Sequence, residues 1–405
     1  MNNGRQAPER RTKDNQEAFA QPVRTVAAQA RRQSSRRSGS RKQGTWFLLL
    51  VVLLGIITLV TLAREGGARQ EQGAVTPPPS MAVRLSARAF QAYAFPRPEN
   101  EVMRPTIDHQ GRLWFGAMGQ NALVVFDPLT HTFGYLTPPH GHHGIMGVQV
   151  APDDTIWFAE QAANYLGHYF PATGRYQLYP LPWLTLPDPA HPGQVRSLPS
   201  APNELALDAQ GEVWFTEFNA DRMGRLDPQT GRMQHYPLST KASVQTLYPY
   251  GVTLDSQGMV WFTESGTNHL GRLDPSTGAM RLFAASDPHA LLMEIASDAQ
   301  GSIWVTSFTP GLLFRLHPGT GTFTSYLVPA QGSKRSALYG LLVTQAGEVW
   351  VTMLEENALA RLDVAAQRFL TYQLPRPNSQ PLGLVMDASH TLWFTGVDAV
   401  GMVRP

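Results

Sequence analysis

Apolar and polar positions alternate through most of this chain in short runs, broken by Asp, Gly, Pro and Asn. A period of two predicts strands with one face against a core, joined by tight turns. One phrase recurs seven times. It reads Leu113-Trp114-Phe115, Ile156-Trp157-Phe158-Ala159-Glu160, Val213-Trp214-Phe215-Thr216-Glu217 and Val260-Trp261-Phe262-Thr263-Glu264. It returns as Ile303-Trp304-Val305-Thr306, Val349-Trp350-Val351-Thr352 and Leu392-Trp393-Phe394-Thr395. The tryptophans stand 43, 57, 47, 43, 46 and 43 residues apart, the period of a four-stranded propeller blade. In one repeat, an inner strand at Tyr250-Gly251-Val252-Thr253-Leu254 turns into the Trp-Phe strand. A third strand follows at His269-Leu270-Gly271-Arg272-Leu273, then a turn at Asp274-Pro275-Ser276-Thr277-Gly278 into the outer strand. Proline sets the turn's φ and glycine takes its positive-φ position. The predicted fold class is all-β, a seven-bladed β-propeller over residues 87–405.

The last repeat stops at Pro405 after three strands, while residues 88–98 read like the outer strand of a late repeat at 368–377. The N-terminal strand is therefore expected to complete the last blade and close the ring, which removes an open sheet edge. The longest spacing reflects a Pro-rich insertion around residues 183–199, either a lid over one mouth or a decorated loop.

The segments ahead of the repeats read differently. Residues 46–63 are 18 residues without a charge, a helix of about 27 Å that matches the hydrocarbon thickness. Residues 1–45 hold 11 Lys/Arg and 3 Asp/Glu, too polar to bury a core. A positive leader keeps the N-terminus inside. The expectation is a single-pass cell-membrane protein with a disordered cytoplasmic tail (1–45), a transmembrane signal anchor (46–63), a Gly/Pro-rich tether (64–86) and an extracellular propeller. A cleaved signal peptide ending near residues 61–63 is the rival reading. Beyond residue 45 there are 22 basic and 28 acidic residues, which argues against nucleic acid as the propeller's partner. The chain has no cysteine, so thiolate metal sites and a cysteine nucleophile are excluded.

The phrases Trp214-Phe215-Thr216-Glu217, Met223-Gly224-Arg225-Leu226, Asp227-Pro228-Gln229-Thr230-Gly231 and Tyr236-Pro237-Leu238 resemble the virginiamycin B (streptogramin B) lyase family. The resemblance covers residues 88–405; NHL-like and gluconolactonase-like propellers share parts of the pattern. It implies a magnesium-dependent lyase that opens a cyclic depsipeptide by elimination across an ester C–O bond. A general-base histidine in a Pro-His-Gly-Ile phrase on an inner strand and acidic metal-binding groups carry that chemistry.

The inner-strand position lies 11 residues before each tryptophan and holds Met103, Met146, Asn203, Tyr250, Met293, Tyr339 and Leu382. Pro249-Tyr250-Gly251-Val252 fits the family's other form, Pro-Tyr-Gly-Ile. Pro381-Leu382-Gly383-Leu384 places leucine, which accepts no proton, where the base belongs. These seven are the expected lining of a ligand-binding channel. Two histidines survive out of frame as catalytic candidates, His143 and His289, in loops leading into inner strands; His140 and His142 lie beside the first. Candidate magnesium ligands are Glu160, Glu217 and Glu264, each three residues after its tryptophan, with Glu204 and Glu294 on inner strands. A gluconolactonase-like hydrolase needs a Glu/Asn/Asp cluster, for which Glu204, Asn203 and Glu294 are the candidates. The inner-strand methionines suggest either soft-metal capture or an apolar plug. The missing in-strand histidine favours a module that binds a small molecule or a protein at one mouth. The alternatives are a Mg-dependent lyase and a metal hydrolase.

Overall fold

The computed structural model describes residues 80–86, 89–97, 102–139, 144–188, 191, 193–238, 247–329 and 336–405. The tail, the expected span at 46–63, the tether up to residue 79, and His140, His142 and His143 lie outside the described residues. Among the described residues no helix is long and apolar enough to cross a membrane.

Seven antiparallel sheets follow one another, numbered here as blades 1 to 7 by their tryptophans 114, 157, 214, 261, 304, 350 and 393. Blade 4 shows the plan: Pro249–Leu254, Val260–Glu264, His269–Leu273 and Met280–Ala284, from the channel outward. Phe90–Ala94 pairs with Ala399–Val403 as the outer strand of blade 7, so the chain's two ends close one sheet. Blade 6 departs from the plan. Ser80–Arg84, expected within the tether, adds a fifth strand parallel to Arg368–Gln373. The stretch Trp183–Leu198 falls outside the compact unit that holds the blades. Within it Leu184–Pro187 pairs antiparallel with Val195–Leu198.

Alternation puts each tryptophan and the residue after it on opposite faces of a blade, and both faces are covered by neighbours. Trp214 of blade 3 packs with Val252, Val260 and Phe262 of blade 4. Trp261 packs likewise with Leu292, Ile295 and Val305 of blade 5. No blade tryptophan is more than 4% exposed. Burying an indole requires a partner for its N–H. In five blades Nε1 donates to the aspartate six residues earlier, as in Trp261 to Asp255 Oδ2 at 2.8 Å and Trp304 to Asp298 Oδ2 at 2.8 Å. Blade 2 has Ala151 there, and Trp157 instead stacks on His168 with centroids 3.9 Å apart. The phenylalanines need room across the strand pair. Phe262 lies over Gly271, where a Cβ would fall 1.9 Å from its ring. Blade 5 reverses the pair, with Val305 opposite Phe314.

The inner strands are irregular where they meet the channel. In blade 3, Pro202 pairs with Glu217 and Leu205 with Phe215, so Asn203 and Glu204 together oppose the single residue Thr216. The same slip occurs in blades 2, 4, 5 and 6. Such a bulge leaves a backbone N–H unpaired and re-aims two consecutive side chains. Thr216 Oγ1 accepts that N–H from Glu204 at 3.1 Å and donates to Tyr250 O of blade 4 at 2.8 Å. Thr263, Thr306, Thr352 and Thr395 repeat this link to Met293, Tyr339, Leu382 and Met103. Five of the seven blade junctions are thus stitched by one hydroxyl each. Blades 1 and 2 carry Gly116 and Ala159 instead.

Candidate functional site

The inner strands bring two columns of residues to the channel. The first holds the seven expected lining residues, none more than 9% exposed. Their polar atoms are already paired across the pore. Tyr250 and Tyr339, on blades 4 and 6, are hydrogen-bonded through their hydroxyls. Tyr339 Oη in turn donates to Met103 Sδ of blade 1 at 3.9 Å. Asn203 Nδ2 donates to Tyr250 O at 3.1 Å, and its Oδ1 accepts from Gln161 Nε2 at 3.0 Å. Met146, Met293 and Leu382 complete an apolar ring.

The second column is the residue after each of these: Arg104, Gly147, Glu204, Gly251, Glu294, Gly340 and Gly383. Four glycines let adjacent inner strands approach closely; a Cβ on Gly340 would fall 2.0 Å from Leu382 O. The other three side chains meet on the axis. Arg104 Nη2 lies 2.8 Å from Glu204 Oε1, and Nη1 lies 2.6 Å from Glu294 Oε2. One guanidinium therefore bridges blades 1, 3 and 5, none of them neighbours. Arg104 keeps 22% of its side chain accessible, against 8% for Glu204 and 2% for Glu294. Burial weakens the Arg104 cation, but Glu204 and Glu294 outweigh that and hold it protonated. Burial pushes Glu294 up to about 7; Arg104 pulls it down and Glu204 pushes it further up. Two acids thus share one cation. Sequence reasoning missed Arg104. The signal that could have found it is this second column, where three charges stand among four glycines.

The three glutamates after the tryptophans do not converge with this group. Glu217 binds Arg222 Nη2 at 2.5 Å and His235 Nδ1 at 2.6 Å, both on its own blade. Burial opposes its ionisation, but His235 and Arg222 prevail and lower its pKa. Glu264 accepts from Thr267 Oγ1 at 2.5 Å and lies 3.8 Å from His269 Nδ1. Burial pushes it up to about 7, with Thr267 opposing and Asp221 reinforcing. Glu160 is fully buried with neither carboxylate oxygen bonded, and burial pushes it up to about 7 as well.

These residues do not make a magnesium cradle. Mg²⁺ asks for several convergent oxygens, and the Arg104 guanidinium already stands between Glu204 and Glu294. Among the described residues no three His, Asp or Glu gather as metal ligands. Of the Asn203, Glu204 and Glu294 set that a gluconolactonase-like site would need, the same cation binds the two glutamates, while Asn203 bonds Gln161 and Tyr250 O. Of the histidine candidates, His143 lies outside the described residues. His289 is exposed in the turn before Leu292–Ser297, its N–H donating to Asp287 Oδ1 at 2.8 Å.

Comparison with known proteins agrees with the fold. The model of the virginiamycin B lyase family matches residues 80–334 and 190–404. Among solved structures, a streptogramin B lyase superposes with a TM-score of 0.68 at 24% identity, covering 78% of this chain and 97% of that one. Virginiamycin B lyase from Staphylococcus aureus gives 0.67 at 22%, covering 78% and 99%. A catalytically inactive histidine-to-alanine form of that enzyme, solved with quinupristin, gives 0.67 at 23%, with coverage of 78% and 99%. Identities this low show the shared fold alone. No curated protein matches the chain.

Proposed function

The chain belongs to the virginiamycin B lyase family, and from that premise we propose that it is a binding propeller rather than a lyase. The observation that carries the reading is the composition of the channel. Elimination next to a carbonyl needs a base poised to accept a proton. The seven inner-strand positions hold Met103, Met146, Asn203, Tyr250, Met293, Tyr339 and Leu382, and no imidazole stands among them. The carboxylates one residue further on, Glu204 and Glu294, are both bound by Arg104. A small molecule or a protein segment is then held at a mouth, against a pore that the ion group and the tyrosine pair plug. The charge-free residues 46–63 support anchoring of this propeller to the outer face of the cell membrane.

Family membership and His289, on the loop leading into an inner strand, favour a Mg-dependent C–O lyase as the second reading. Equilibrium dialysis of the full chain against quinupristin in Mg²⁺ buffer, with chromatography of the recovered compound, separates the two. Binding propellers return the ring intact. Ring opening that stops on chelation and falls in His289→Ala would establish the lyase.

A further inference from the structure

The face carrying the turns from inner to second strand is opposite to the one where His289 lies, and it holds a second built site. Five of those turns place glycine in the left-handed region: Gly111, Gly211, Gly258, Gly301 and Gly347. Blades 2 and 7 place Asp154 at φ 60° and His390 at φ 62° there, residue types that tolerate the left-handed region better than most. Here Asp154 Oδ1 accepts both the backbone N–H of His109, at 3.0 Å, and its ring Nδ1–H, at 2.8 Å. The imidazole belongs to the blade 1 turn, so the bond crosses between blades.

That bond fixes the tautomer: Nδ1 carries the proton and Nε2 presents a lone pair. His109 is 73% exposed at the side chain. It lines an open depression of about 780 Å³ with Ile107, Leu129, Val150, Ala151 and Ala388. Leu129 is 87% exposed there. Ala151 stands where five other blades have the aspartate that binds the indole, which leaves this wall apolar. Charge disfavours an acidic ligand: Asp108 and Asp387 are in the lining, Asp154 holds His109, and the nearby Arg112 is bonded to Asp108 at 2.7 Å.

We propose that this depression binds an uncharged apolar molecule through one O–H or N–H group donated to His109 Nε2. Asp154 is a positioning residue for that contact. The site is independent of what the opposite mouth binds.

The test uses 2-naphthol and 2-methoxynaphthalene, which differ in the donor, titrated into the full chain by fluorescence or calorimetry. The naphthol is expected to bind about tenfold tighter, the scale of one hydrogen bond. His109→Ala abolishes the preference, and Leu129→Asp weakens both probes. Asp154→Gly suits the left-handed turn, so it retains or raises the melting temperature while losing most of the preference. No binding of the naphthol, equal binding of both probes, or a preference that survives His109→Ala would each overturn the proposal.

Discussion

The belt of tryptophans between blades and the ring of residues at the channel are built by opposite rules. In the belt the same indole returns seven times, five times with the same aspartate and over the same kind of neighbour. At the ring hardly anything returns: three methionines, two tyrosines, an asparagine and a leucine, followed by one arginine, two glutamates and four glycines. Each blade meets its neighbour the same way, so the belt repeats. The ring's residues meet across the axis as one group, so each position has its own task. Repetition marks what holds the propeller together; its absence marks what the channel alone requires.

The comparison is broken most severely in the belt. Trp304→Ala removes a side chain 1% exposed, its bond to Asp298 and its stacking on Tyr326 at 5.8 Å. It is expected to lower stability by about 3–5 kcal/mol, read as a shift in the denaturant midpoint.

A ring substitution has a different signature. Arg104→Met leaves Glu204 and Glu294 buried together without a cation, which costs about 3 kcal/mol at pH 8. The loss shrinks toward pH 5, because Glu294, pushed up to about 7 even beside Arg104, then holds its proton in the native state. Arg104→Met combined with Glu204→Gln and Glu294→Gln restores most of the stability at pH 8. An Arg104→Met deficit that is the same at both pH values would show that the axial ion group is not what the substitution disrupts.

Glu160→Gln sharpens the belt's own exception. The Glu160 pKa rises from 4.5 to about 7 on folding. Below 4.5 the folded and unfolded chains both hold its proton. Between 4.5 and 7 only the folded chain does, so stability falls as pH rises and the deficit is complete above 7. The glutamine form is therefore expected to be more stable by about 1–2 kcal/mol at pH 8 and equal at pH 4.5, measured by thermal melts across that range. Thr263→Val, which removes one stitch to Met293 O, should lower stability by about 1 kcal/mol.

The belt was legible before any coordinates because repetition amplifies it. The Trp spacing and the ring closure by Phe90–Ala94 both follow from comparing one repeat with the next. Ser80–Arg84 was not legible as a strand, since nothing in the other blades has a fifth strand to compare it with. The ring was legible by half. Counting back from each tryptophan found Met103 through Leu382. Strict alternation, however, points the following residue away from the channel. The bulge opposite Thr216 and its equivalents reverses that, and so Arg104 went unnoticed although Glu204 and Glu294 were singled out. The glutamates after the tryptophans misled for a related reason. Equivalent positions in a propeller need not share a partner, and Glu217 turned to Arg222 and His235 on its own blade.

The most direct measurement compares quinupristin ring opening, in Mg²⁺, by the full chain and by its Leu382→His form. The account predicts that the unaltered chain is indistinguishable from a blank without protein, and that any activity appears in the histidine form alone. Chelator-sensitive opening by the unaltered chain, at a rate that Leu382→His leaves unchanged, would contradict it.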